Sequence, residues 1–165
     1  MTTSTWISAI MARDLRALRR ELEAYTDERD IWRVQPGIGN SAGNLTLHLA
    51  GNLQYFIGTV LGRTGYVRNR EREFGQRSGP RENIYAELDA AMEVVRKVLP
   101  EIPDATLDAD FPEAVMGTQF RTGAFLLHLC SHAGFHLGQA GYLRRILTGD
   151  TATSTGPIPL GPLAR

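Results

Sequence analysis

His132 and His136 stand four residues apart in LHLCSHAGFHLGQ, residues 127–139. Residues at i and i+4 share one face of a helix, so two imidazoles there can address one metal ion. His48, far upstream in NLTLHLAGN (44–52), would supply a third nitrogen from a second helix. Three protein ligands leave a coordination position open, the arrangement of a catalytic rather than a structural site. The fourth histidine, His128, lies one turn before His132. A His128/His132 pair is therefore the alternative ligand pair, with His128 otherwise a pocket residue. Neutral imidazole suits Zn, Ni, Cu and Fe, so the donor set by itself leaves the metal open. A carboxylate-bridged di-iron centre would need Glu-x-x-His pairs, and the chain has none.

Other chemistry-bearing residues are fewer. Asn52 follows His48 by one turn and Gln139 follows His136 by three residues. Either can orient a ligand; the plainer alternative is an interhelical hydrogen bond. Cys130 is two residues from His132, about 200° around the helix, and is read as packing. No general base stands out, and Asp110, Glu113 and Tyr142 are the only polar candidates. Arg63, Arg68, Arg70, Arg72, Arg77 and Arg81 alternate with Glu71, Glu73 and Glu82, which reads as a solvated loop. Trp6, Tyr55, Phe56, Phe125 and Phe135 are read as core or pocket wall.

The elements that must position these residues follow from apolar periodicity. Trp6, Ile7, Ile10, Met11, Leu15, Leu18, Leu22 and Tyr25 predict a helix over about 4–25. Pro36, Gly37 and Gly39 break the chain, and Asn40 or Ser41 can cap a second helix carrying His48 and ending near Gly62. Residues 63–80 read as a long polar connection. A third helix spans about 81–99 and stops at Pro100. Residues 100–120 are irregular, with VMGTQF as a small extended turn. The fourth helix runs from about 122 to 148 and ends at Gly149. The expectation is an all-α four-helix bundle over 1–148, followed by an irregular, non-helical tail, 149–165.

The bulk composition sets limits. The chain has 165 residues, 18 basic and 18 acidic, for zero formal net charge, so nothing in the balance favours nucleic acid or an anionic membrane. No run of eighteen apolar residues exists, and the N-terminus reads as an amphipathic helix rather than a signal peptide. The single cysteine excludes an intramolecular disulfide. These features predict a cytoplasmic protein.

One histidine in helix 2, followed by H-x-x-x-H and Gly-Gln in helix 4, resembles the DinB/YfiT-like superfamily. LTLHLAGNLQYFIG (45–58) and LLHLCSHAGFHLGQAGYLRR (126–145) carry the resemblance, and the helix count and long crossover agree over about 4–148. Leu137 stands where relatives commonly carry Arg. The resemblance implies an up-down-down-up four-helix bundle, commonly a homodimer. It also implies a divalent metal, nickel or zinc first with Fe, Mn or Cu open, held by His48, His132 and His136. Characterised relatives include thiol-dependent S-transferases and a mycothiol-dependent maleylpyruvate isomerase. The leading expectation is therefore a metal-dependent enzyme, a thiol S-transferase on small electrophiles or a hydrolase. The second is a non-catalytic stress-response bundle that binds metal or a small ligand.

Overall fold

The computed structural model describes residues 2–152 and 159–163. Its long elements are α1 (Thr3–Glu23), α2 (Ala42–Leu53), α4 (Arg81–Val98) and α6 (Thr122–Thr148), joined by the short helices α3 (Arg70–Gly75) and α5 (Asp104–Leu107). Each long helix packs on two others: α1 on α4 and α6, and α2 on α4 and α6. Contact pairs give the relative sense of the helices. Ile7–Cys130 and Glu21–Arg144 advance together along α1 and α6. Ser8–Val95 and Arg19–Asp89 run in opposite senses along α1 and α4. His48–His132 and Phe56–Phe125 do the same for α2 and α6.

The helices form where the apolar spacing requires them. In α1, Ile7, Met11, Leu15, Leu18 and Leu22 are buried at three- and four-residue steps, and the Thr2 side chain caps the first turn. Helix α2 is buried along its whole length and has no charged side chain between residues 42 and 61. It continues as π-helix over Gln54–Leu61 instead of remaining α-helical to its end. Such wide turns re-aim side chains, and this one carries Tyr55, Phe56 and Thr59, which line a cavity. Helix α6 ends at Gly149, whose φ of 68° is the left-handed cap expected of a glycine there.

Several expectations need correction. The connection 63–80 is not all loop, because it holds α3. The Asn69 side chain caps α3, and Asn44 of α2 donates from Nδ2 to Glu73 O and Gln76 O, both at 2.9 Å. Trp6 and Phe135 are exposed rather than core. The tail, expected to be non-helical, includes a 3-10 turn at Gly161–Leu163 that packs on α1; residues 153–158 lie outside the described residues. The VMGTQF segment does make a turn: Val115 and Thr118 bridge, with Met116 and Gly117 at φ 51° and 79° between them.

Candidate metal centre

His48 lies one and a half turns into α2, after a capping box in which the Ser41 and Asn44 side chains satisfy each other's backbone. His132 and His136 lie mid-way along α6, on the face turned to α2. His48 Nε2 is 3.2 Å from His132 Nε2, and His132 Nε2 is 3.0 Å from His136 Nε2. The ligand atoms of all three lie within 4.8 Å of one another. Metal–nitrogen bonds of about 2.0–2.1 Å in tetrahedral geometry put two ligand nitrogens about 3.3 Å apart. Two of the three nitrogen pairs match that spacing. The rings stand nearly perpendicular, at interplanar angles of 79–89°, so their edges converge.

The other ring nitrogens set the tautomers. His48 Nδ1 lies 3.0 Å from Glu73 Oε2 and 3.1 Å from Arg68 Nη2. The ionised carboxylate can only accept, so the shorter contact is the bond that His48 Nδ1 donates, and His136 Nδ1 donates to Gln139 Oε1 at 2.6 Å. Both bonds place the proton on Nδ1 and leave the Nε2 lone pair facing the centre. His132 Nδ1 is buried and has no partner among the described residues. Burial, with the neighbouring His136, His48 and His128 rings, pushes the His132 pKa down to about 4. Burial also lowers that of His136, against the bond it donates to Gln139. Ring nitrogens whose lone pairs aim at one point repel one another until a cation lies between them. The donor set therefore fits a divalent ion.

Glu73 was not legible as a site residue. Burial opposes its ionisation, but hydrogen bonds from Arg68 and His48 outweigh that and hold its carboxyl below the usual range. Arg68 Nε donates to Oε1 at 2.7 Å and Nη2 to Oε2 at 2.8 Å. Arg68 is thus partly buried, not part of a solvated arginine run; its side chain is 10% exposed and that of Glu73 5%. Arg68 Nη1 makes no hydrogen bond among the described residues, and Arg68 lines a cavity of about 830 Å³. That cavity lies between the π-helical turn and the 113–116 arm. Phe56 on its wall packs on Phe125, Phe125 stacks on His128, and His128 stacks on His132, with centroids 5.0, 6.0 and 5.8 Å apart. His128 therefore flanks the centre and stays outside the group of three.

The remaining candidates separate. Gln139 binds a histidine, whereas the buried Asn52 leaves Oδ1 without a partner among the described residues. Glu113 accepts from Tyr55 Oη at 3.0 Å and lines the large cavity. Asp110 pairs with Arg121 at the exposed surface. Tyr142 is exposed and, with Gln139, lines a second cavity of about 390 Å³ on the opposite side of the centre. Cys130 is partly buried; burial, with Asp14 nearby, pushes its thiol up to about 12.

The model of the DinB superfamily matches residues 11–140, a span that includes all three histidines. The chain belongs to the DinB superfamily. No curated protein and no solved structure matches it. The three-histidine group of this DinB protein can hold a metal ion. Among the described residues, no helix is long and apolar enough to cross a membrane.

Proposed function

We propose that this DinB protein holds a divalent ion on His48, His132 and His136 and transfers a low-molecular-weight thiol to a small electrophile. Nickel or zinc is the first choice of ion, with iron, manganese or copper open. The observation that carries the reading is the convergence of three imidazoles beside a carboxylate, Glu73, that is already neutralised by Arg68. Such a donor set leaves both charges of the ion uncompensated, which favours an anionic incoming ligand such as a thiolate. The bound ion would supply the Lewis acidity that makes a thiol nucleophilic near neutral pH.

The chain's own residues do the rest. The electrophile occupies the cavity against Phe56 and Val115, with Arg68 Nη1 available to an acceptor oxygen. The smaller cavity beside Gln139 accommodates the body of the thiol. Cys130 does not serve as the thiol, because burial keeps it protonated at neutral pH.

A cytoplasmic homodimer belongs to the same proposal. Helix α6 carries no Asp, Glu, Lys or Arg between residues 122 and 143, yet exposes Leu127, Phe135 and Tyr142. A charge-free apolar face of this kind suits a second copy of itself. Sedimentation at two protein concentrations tests it.

The metal reading is tested by elemental analysis of untagged, chelator-free protein beside His132→Ala. The expected result is about one divalent ion per chain in the wild type and none in the variant. Absence of stoichiometric metal after reconstitution overturns it. With metal present, cobalt-substituted protein titrated with small thiols separates transfer from mere binding. A change in the visible spectrum supports the transferase; an unchanged spectrum leaves a non-catalytic metal-binding bundle.

A further inference from the structure

We infer that Glu73 is the positioning residue of the metal centre, fixing the tautomer and orientation of His48 while Arg68 keeps its carboxylate from competing as a ligand. The inference rests on the metal reading above.

Glu73 meets His48 at Nδ1, across the ring from the Nε2 that converges with the other histidines. Its carboxylate therefore lies behind the ligand rather than in the coordination sphere. Arg68 occupies both of its oxygens, at 2.7 and 2.8 Å. Arg68 Nη2 also comes within 3.1 Å of His48 Nδ1, but Nδ1 cannot accept from Arg68 and donate to Glu73 at once. The shorter contact, 3.0 Å to the carboxylate, requires the Nδ1–H tautomer. A carboxylate partner raises the basicity of the opposite nitrogen and locks the ring, a second layer of contacts typically worth 10–100-fold in metal affinity.

Three features beyond the ion pair are arranged for this contact. Asn44 Nδ2 holds the backbone oxygen of Glu73 at 2.9 Å, which fixes α3 against α2. Gly51, three residues after His48, leaves room for the carboxylate: a Cβ there would fall 2.3 Å from Glu73 Oε1. The three histidines also differ at Nδ1, where His48 has a carboxylate, His136 an amide and His132 no partner among the described residues. A pair built only for stability would close on itself, whereas this one ends on a ligand.

The test uses full-length wild type, Glu73→Gln and Gly51→Ala. Zinc affinity is measured by competition with a chromophoric chelator, and the fold is checked by circular dichroism. The His48 tautomer is read by long-range ¹H–¹⁵N correlation spectra of metal-free protein. The expected result is a 10–100-fold loss of zinc affinity in Glu73→Gln, whose amide can still accept from Nδ1 but carries no charge, and loss of the single Nδ1–H form of His48 in Gly51→Ala, where the carboxylate is displaced. Gly51→Ala keeps both charges and favours helix, so it moves the carboxylate should the first variant fail to fold. Zinc binding within twofold of wild type in the folded variants, or an unchanged His48 tautomer in Gly51→Ala, overturns the inference. A wild type that binds no ion removes the proposed function instead, and the tautomer measurement still judges Glu73.

Discussion

Arg144–Glu21 and Arg68–Glu73 are both arginine–glutamate pairs inside the bundle, at 2.6 and 2.7 Å. The first is sealed, with side chains 0% and 2% exposed. Its guanidinium donates to Glu21, to the Asp150 oxygens and to Ala152 O, so it ties α1 to the turn after α6. The second pair borders a cavity, leaves Nη1 without a partner among the described residues and accepts a hydrogen bond from His48. Burying two charges is costly and yields little net stability by itself. What separates the pairs is the third partner, chain backbone in one case and an imidazole of the three-histidine group in the other. A clamp and a positioning device can thus share the same two residue types.

The largest effect expected from this contrast is on stability. Arg144→Met strands the Glu21 carboxylate in the core and should cost about 3–5 kcal/mol. For a chain of this size the melting temperature then falls by roughly 10 °C or more. The Glu21→Leu/Arg144→Met double variant should recover most of the loss, because both charges leave together. Metal content should remain at the wild-type level in each. A loss of bound metal in Arg144→Met, with the fold retained, would break the separation between the two pairs.

The next effect is acid sensitivity at the metal end of the metal-free protein. His132 has its pKa lowered by burial and its neighbouring histidines, so between about pH 6.5 and 4 the unfolded chain binds a proton that the folded chain refuses. Stability therefore falls as pH falls through that window. The half-buried ring is partly screened, which limits the loss to about 1–2 kcal/mol. Glu73, also lowered, loses its contribution at the acid end as it takes up a proton. Hydrogen exchange at pH 7 and pH 5 should show protection lost first in α2, α3 and the middle of α6. Equal loss around Glu21 and Arg144 would show that acid does not distinguish the two regions.

The long helices were legible because each buries an apolar stripe, and the three histidines because they fall on such stripes. Helix α3 was not. At six residues it is too short for a period to emerge, and in Asn69-Arg-Glu-Arg-Glu-Phe-Gly75 charges alternate without showing which one turns inward. The inward one is chosen by Asn44, about thirty positions upstream, and by the gap at Gly51. A long-range hydrogen bond leaves no local pattern. The same holds for Arg144: its neighbour Arg145 is only partly buried, and only the return of the chain at Asp150 and Ala152 separates them. The start Asn69 and stop Gly75 were the available signal for α3, since Asn caps helices and Gly ends them.

The smallest effect sharpens the comparison inside the metal centre. Gln139 accepts from His136 Nδ1 as Glu73 accepts from His48 Nδ1, but it is neutral and exposed. In Gln139→Leu, water can take the place of the amide oxygen, so only part of a hydrogen bond is lost. A net bond of about 0.5–1.5 kcal/mol sets the ceiling, and the expected loss of zinc affinity is about two- to fivefold. Chelator competition on Gln139→Leu beside Glu73→Gln measures both on one scale. The order follows from charge: a carboxylate polarises the imidazole behind the metal far more than an amide does, and burial leaves water no access to replace it. If Gln139→Leu costs as much affinity as Glu73→Gln, the charge of the Arg68–Glu73 pair adds nothing. That pair would then be a clamp of the same kind as Arg144–Glu21.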